Sequence, residues 1–337
     1  MTKEQINELI SDGAFPGSTL PPNLIETHIS WVIITGTFVY KIKKPVHYSF
    51  LDFSTVEKRK YYCEREIVLN RRFSNDIYLT VVPVRLNSGR LIMDGSHGDI
   101  IDHAVKMRIL DRTRQMDVLL MKNNVTPDDI RELAKKIAEF HKGAVIVTNK
   151  NVLNIQKEFN DLEEQAESLQ QNLNNSQTII SNAIATSNSF LEQNGQVLEN
   201  RLSAGFFRDC HGDLHSKNIF LLEEPQLFDC IEFNDDYRQI DVLNDVAFLC
   251  MDLDAFGKED LSNLFLKTYN NQFNSIGSEE DMEVFIYYKA YRANVRAKVN
   301  SLRARVPGIK PGEKDLLLQE VLKYLKLMER YIKSLRL

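Results

Sequence analysis

His211-Gly212-Asp213-Leu214-His215-Ser216-Lys217-Asn218, running into the apolar Ile219-Phe220, is the stretch on which the reading of this chain turns. A second stretch, Leu227-Phe228-Asp229-Cys230-Ile231-Glu232-Phe233-Asn234-Asp235, completes it. Asn218 lies five residues after Asp213, and Asp229 lies eleven after Asn218. Between them, Ile219–Leu222 and Leu227–Phe228 are short apolar runs that suit a β-hairpin. A hairpin brings its two ends together, so Asn218 and Asp229 are expected side by side. A carboxylate beside a side-chain carbonyl is a hard-oxygen pair suited to magnesium, with space left for waters and phosphates. Asp213, one loop earlier, is expected to face the same point, where it could accept a proton from an attacking hydroxyl. Single His, Asp or Asn residues are common in polar turns, but this joint spacing between β-runs is much rarer. A His/Asp metal-hydrolase site on His211, Asp213 and His215 is the competing reading, and it lacks a carboxylate-rich cluster upstream.

Outward from this core, the first 110 residues read as a sheet-rich unit. Residues 1–12 suit a short helix, and 13–23, with Gly13, Pro16, Gly17, Pro21 and Pro22, suit a loop. His28–Ile34 and Phe38–Lys43 are strand-like around a Thr35-Gly36 turn. Ser54–Phe73 is helical in pattern, with Ser54 placed to cap it. Ile77–Arg85, Arg90–Met93 and Ala104–Leu110 are strand-like again. Helices dominate afterwards. Thr126-Pro127-Asp128-Asp129 is a helix start, and 150–200, 259–275, 279–302 and 314–337 carry helical spacing.

In Phe38–Lys43 the alternation puts Val39, Lys41 and Lys43 on one face and Phe38, Tyr40 and Ile42 on the other. Glu64 and Glu66 stand about 200° apart on the following helix. The chain has 337 residues, long enough for two units, and a formal charge of −5, which argues against a chain-wide hold on nucleic acid. Its four cysteines, Cys63, Cys210, Cys230 and Cys250, form no C-x-x-C pair, so reduced thiols and a cytoplasmic setting are expected. No run is long and apolar enough to span a membrane, and no secretory leader is expected from Met1–Phe15.

The D-x-x-x-x-N spacing of Asp213 and Asn218 resembles the protein-kinase catalytic loop. The form H-G-D-x-H-x-x-N is similar to that of the aminoglycoside phosphotransferase and choline kinase branch of that fold. Phe228-Asp229-Cys230-Ile231 resembles the looser second acidic motif of this branch. Asp241-Val242-Leu243-Asn244-Asp245-Val246-Ala247-Phe248 resembles its D-x-x-x-D-L-A helix, in which Asp245 would brace the catalytic loop. The chain as a whole, including Ile29-Ser30-Trp31, Val39-Tyr40-Lys41, Phe50-Leu51-Asp52-Phe53-Ser54 and Ile77-Tyr78-Leu79, resembles an uncharacterised bacterial group of that family. Some members carry a further C-terminal P-loop domain. No G-x-x-x-x-G-K-[ST] occurs in this sequence, so none is expected here.

The resemblance implies an α+β, two-lobed protein kinase-like fold. A small β-rich N-lobe, 1–110, would bind the nucleotide. A larger, mostly helical C-lobe, 111–337, would hold the catalytic loop and acceptor site. The implied activity is ATP- and magnesium-dependent phosphotransfer to a hydroxyl of an unidentified small molecule. Asp213 would be catalytic, and Asn218 and Asp229 would hold Mg2+. Lys41, with Lys43 as competitor, would reach the phosphates and pair with Glu66. Val39 would cover the adenine, and Met107–Leu110 would offer contacts to it. His141, in Phe140-His141, matches a helix position of the branch where packing is expected. No G-x-G-x-x-G precedes the lysine strand, so Thr27–Ser30 is the candidate phosphate cradle, and a pseudokinase-like binding module is the alternative function. Glu232, Asn234, Asp235, Asp236, Asp252 and Asp254 could form an acidic acceptor pocket. Arg292, Arg296 and Arg303, on a basic stretch, could instead take an anion, neutralise those acids or form a solvated face.

Overall fold

The computed structural model describes residues 1–18, 21–48, 51–74, 76–306 and 308–336. Phe50, quoted above, and residues 19 and 20 of the expected loop lie outside them. The chain divides into two compact units. The first comprises Met1–Gln115, Asn218–Leu222 and Gln226–Tyr237, and the second comprises Met116–Lys217, Glu223–Pro225 and Arg238–Leu337.

The first unit is built on an antiparallel six-stranded sheet. Its elements in chain order are α1 (Lys3–Ser11), β1 (Asn23–Glu26), β2 (Ser30–Ile34), β3 (Phe38–Lys43), the two-residue strands β4 (His47–Tyr48) and β5 (Leu51–Asp52), α2 (Val56–Asn70), β6 (Tyr78–Asn87), β7 (Arg90–Met93) and β8 (Asp99–Arg108). The strand order is β1-β2-β3-β8-β6-β7, with β4 and β5 paired separately. The alternation of β3 sorts the two faces. Tyr40 and Ile42 join Trp31, Ile33, Val84 and Met93 in a core closed by Ile6 and Leu9 of α1. Val39 packs from the opposite face against Met107, Tyr78, and Cys63 and Ile67 of α2. Two local expectations change. Asn23, placed at the end of the expected loop, begins a strand, Asn23–Glu26, that the sequence does not announce and that pairs with Trp31–Ile34. The cap of α2 is Thr55, whose hydroxyl accepts from the Lys58 amide, while Ser54 bonds to Asp52. The first unit also takes in the hairpin of β10 (Ile219–Phe220) and β11 (Gln226–Leu227).

The second unit is helical. It contains α3 (Met116–Met121), α4 (Pro127–Gly143), α5 (Asn154–Asn160), α6 (Glu163–Gln170), α7 (Ser176–Ser203), the paired β9 (Phe207–Asp209) and β12 (Gln239–Asp241), then α8 (Val242–Ala255), α9 (Glu259–Gln272), α10 (Glu279–Ala304) and α11 (Pro311–Ser334). Thr126 caps α4 with Asp129 in a reciprocal capping box, as its sequence suggests. The helical pattern of 150–200 is cut into three helices, and Asn175 enters the last in a left-handed conformation. Every residue from Val242 to Asp254 is buried, so α8 is a central helix with no solvated face. Among the described residues no helix is long and apolar enough to cross a membrane.

One buried ion pair ties α2 to the sheet. The Arg59 Nε donates to both oxygens of Asp102 on β8, at 3.0 and 3.1 Å, and its Nη1 donates to the Phe53 carbonyl at 2.9 Å. Arg59→Met would leave Asp102 buried with the Met1 ammonium still beside it, at a cost of about 3 kcal/mol, the low end for breaking a buried pair. Trp31, the sole tryptophan, lies in this unit's core and reports its unfolding by fluorescence in urea. A loss below about 1 kcal/mol would show that the pair does not anchor the helix.

Candidate active site

The first unit gathers five charged side chains into an alternating chain. Lys41 donates to Glu66 Oε1 at 2.8 Å and to Asp229 Oδ1 at 2.5 Å. Lys43 donates to Glu66 Oε2 at 2.7 Å and to Glu232. Glu66 has no exposed surface, whereas Glu64 pairs loosely with Lys60 on the exposed face of α2. The roughly 200° between the two glutamates decides which one enters the core. The lysines differ as well: the Lys43 side chain is fully buried, and Lys41 keeps 12% of its side chain exposed.

Burial alone would raise the Glu66 carboxyl, but the two ammonium groups hold it below the ordinary glutamate range. Burial also opposes the charge on Lys41, and Asp229 and Glu66 outweigh it, so Lys41 stays protonated well above the usual lysine value. Glu232 goes the other way, pushed up by burial despite Lys43. Sequence reading did not find the Lys43–Glu232 pair.

The hairpin does bring its ends together. The Phe228 amide donates to the Asn218 carbonyl at 3.1 Å, and β10 and β11 pair Ile219 with Leu227. Asp229 then turns into the left-handed region at φ 61°, which aspartate tolerates better than most residues. Its amide donates to the Tyr78 hydroxyl at 3.0 Å. The next amide, of Cys230, donates to Asn70 Oδ1 at 2.9 Å, at the end of α2. With 42% of its side chain exposed, Asp229 can accept a further ligand. Val39 and Met107 meet in the same apolar cluster, against Tyr78, with Phe228 packed beside it.

The Thr27–Ser30 turn closes on itself. The Thr27 amide and hydroxyl both donate to the Ser30 carbonyl, and the Ser30 amide donates back to the Thr27 hydroxyl, all at 2.9 Å. Of the groups nominated for a phosphate cradle, the Thr27 and Ser30 amides and the Thr27 hydroxyl are spent on the turn, whereas the Ser30 hydroxyl is buried without a hydrogen-bond partner.

In the second unit, buried carboxylates of α8 hold the loop that carries Asp213. Asp245 accepts from the His211 and Gly212 amides, each at 3.0 Å, and from His141 Nε2 at 3.2 Å. His141 Nδ1 meets the Tyr269 hydroxyl at 2.8 Å, so this histidine orients Asp245. Gly212 sits at φ 84°, where a side chain would be strained, and its carbonyl accepts from Arg292. Asp252 accepts from both the amide and the hydroxyl of Ser216. Asp213, partly exposed, lies 3.4 Å from His215 Nε2. Burial would raise its carboxyl, but His215, with Arg296 and His211, draws it well below the ordinary aspartate range.

The acids proposed as an acceptor pocket are largely paired within their own units. Glu232 is on Lys43 and Asp235 on Arg65, while Asp252 is on Ser216 and Asp254 on Lys289.

Asp245→Asn tests the loop's support. It replaces a charged acceptor by a neutral amide and removes one acceptor oxygen, which should cost about 1.5–3 kcal/mol. Hydrogen exchange at the His211 and Gly212 amides is expected to accelerate. Unchanged protection would mean that the loop is held by something else.

No family model matches the chain. Uncharacterized proteins of Mycobacterium bovis and Mycobacterium tuberculosis are each 31% identical over 288 residues, 82% of this chain and 54% of theirs. The chain thus spans about half the length of the curated relatives it matches. Among solved structures, spectinomycin phosphotransferase in complex with ADP and spectinomycin superposes with a TM-score of 0.54 at 9% identity, over 97% of each chain. Choline kinase from Cryptosporidium parvum gives 0.54 at 12%, over 99% of this chain and 97% of that one. An ethanolamine kinase of Plasmodium vivax gives 0.50 at 9%, over 90% and 81%. Identities this low carry the fold alone, and the chain has the α+β, two-lobed protein kinase-like fold shared by these small-molecule kinases and phosphotransferases.

Proposed function

We propose that this chain is a member of the aminoglycoside phosphotransferase and choline kinase family that transfers the γ-phosphate of ATP to a hydroxyl of a small molecule. The observation that carries the reading is Lys41, held between Glu66 and Asp229 although Asp229 lies 188 residues away in sequence. A permanently charged, partly exposed ammonium beside an exposed carboxylate suits a nucleotide phosphate accompanied by a cation.

The donors fit magnesium. Asp229 offers a carboxylate on the open side of its turn, and Asn218 adds a side-chain carbonyl at the other end of the hairpin. Magnesium bound there would neutralise charge on the transferring phosphoryl group. Lys41 would pass from Asp229 to the phosphates, and Val39 and Met107 would take the adenine. Asp213 is held ionised, so it is a weak base and chiefly orients the acceptor hydroxyl for in-line attack. The acceptor is a small molecule, with neither membrane nor nucleic acid required. The four cysteines, all buried and none in a disulfide, accord with a cytoplasmic setting.

A second reading has one observation in its favour. The chain lacks a glycine-rich loop, and the Thr27–Ser30 turn spends the Thr27 and Ser30 amides and the Thr27 hydroxyl on its own closure. A nucleotide-binding, pseudokinase-like module that regulates a partner would tolerate that loss.

Two substitutions separate the roles. Asp213→Asn is expected to lower turnover on the order of a thousandfold or more while leaving nucleotide affinity nearly intact. Turnover like that of the unaltered chain would remove Asp213 from the mechanism. Asp229→Ala is expected to abolish the magnesium dependence of nucleotide binding, and an unchanged magnesium titration would count against it as a ligand.

A further inference from the structure

We infer that Lys43, anchored by Glu232, is a positioning residue for Lys41 and acts through the second oxygen of Glu66. The inference rests on the proposed nucleotide role of Lys41. Lys43 cannot serve the phosphates itself. Its side chain is fully buried, and its Nζ is occupied by Glu66, by Glu232 and by the Phe53 ring at 4.9 Å.

What Lys43 can do is set the geometry and the charge of Glu66. A carboxylate held at one oxygen swivels about its last torsion, which is broad for glutamate. Glu66 is held at both, with Lys41 on Oε1 at 2.8 Å and Lys43 on Oε2 at 2.7 Å. Its plane is therefore set, and with it the place of the Lys41 ammonium.

The charge argument runs the same way. A fully buried carboxylate with a single ammonium partner would hold that partner tightly. With two partners, Glu66 divides its attraction, and Lys41 stays able to reach outward to Asp229. A second buried ammonium needs a second buried carboxylate. Glu232, three residues after Asp229, supplies it. Strand β3 is thus joined to residues 229–232 by two rungs, Lys41–Asp229 and Lys43–Glu232, with Glu66 between them.

The test compares Lys43→Met/Glu232→Gln with the unaltered chain, because the double variant strands no buried charge. Unfolding is followed by Trp31 fluorescence, and Mg·ADP affinity by calorimetry. The double variant is expected to fold and to bind Mg·ADP on the order of tenfold more weakly. A purely structural pair would alter the unfolding midpoint and leave affinity alone. Glu232→Gln alone removes the anchor of Lys43 and is expected to weaken Mg·ADP binding in the same direction, which serves the test even if the double variant does not fold. Undiminished affinity in the folded double variant, or in Glu232→Gln where the double variant does not fold, overturns the inference and leaves the proposed function standing. Failure of the unaltered chain to bind Mg·ADP overturns both.

Discussion

A carboxylate with no exposed surface, Glu66, carries the architecture of the first unit. An unpaired charge cannot persist there, so the helix bearing Glu66 must present it to cations. The sheet provides two, from alternate residues of β3. Each of those lysines then reaches a carboxylate from the segment after the hairpin. Helix α2, strand β3 and residues 229–232 are therefore bound by one charge network, supported by Arg59–Asp102 at one end of α2 and Asn70–Cys230 at the other. The wide separation of these residues in sequence makes the network an outcome of the completed fold.

The second unit solves a different problem by similar means. The residues around Asp213 form a loop whose backbone donors no strand satisfies, yet they are buried. Helix α8 turns Asp245 and Asp252 toward them, and those carboxylates accept the amides of His211, Gly212 and Ser216. His141 and Tyr269 hold Asp245 in turn. The loop is shaped by its supports, and Asp213 remains partly exposed with His215 beside it. On the proposed reading, one unit positions the nucleotide and the other presents the acceptor's orienting carboxylate.

Much of this was legible in the sequence where the signal was local. Period-two alternation sorted β3 correctly, the hairpin followed from two apolar runs around Glu223-Glu224-Pro225, and the capping box at Thr126 was visible as residue types. Motif resemblance pointed to Asp245 as a brace. What stayed hidden depends on long-range pairing. Lys43 and Glu232 carry no mutual signal across 189 residues, and each alone reads as an ordinary surface charge. By type Glu232 groups instead with acids that the fold distributes among separate partners, Asp235 on Arg65, Asp252 on Ser216 and Asp254 on Lys289. Asn23–Glu26 was missed because its strand state comes from pairing with β2 and not from its own composition. The missing glycine loop remains the point where fold and proposed chemistry fit least closely.

The central claim is phosphoryl transfer, and ADP release tests it most directly. The unaltered chain would be incubated with ATP, with and without magnesium, across amino alcohols, sugars, nucleosides and aminoglycosides. The account predicts ADP formation that requires magnesium and rises with at least one hydroxyl-bearing acceptor. Nucleotide binding with no ADP release above background for any acceptor class would contradict it and favour the binding module.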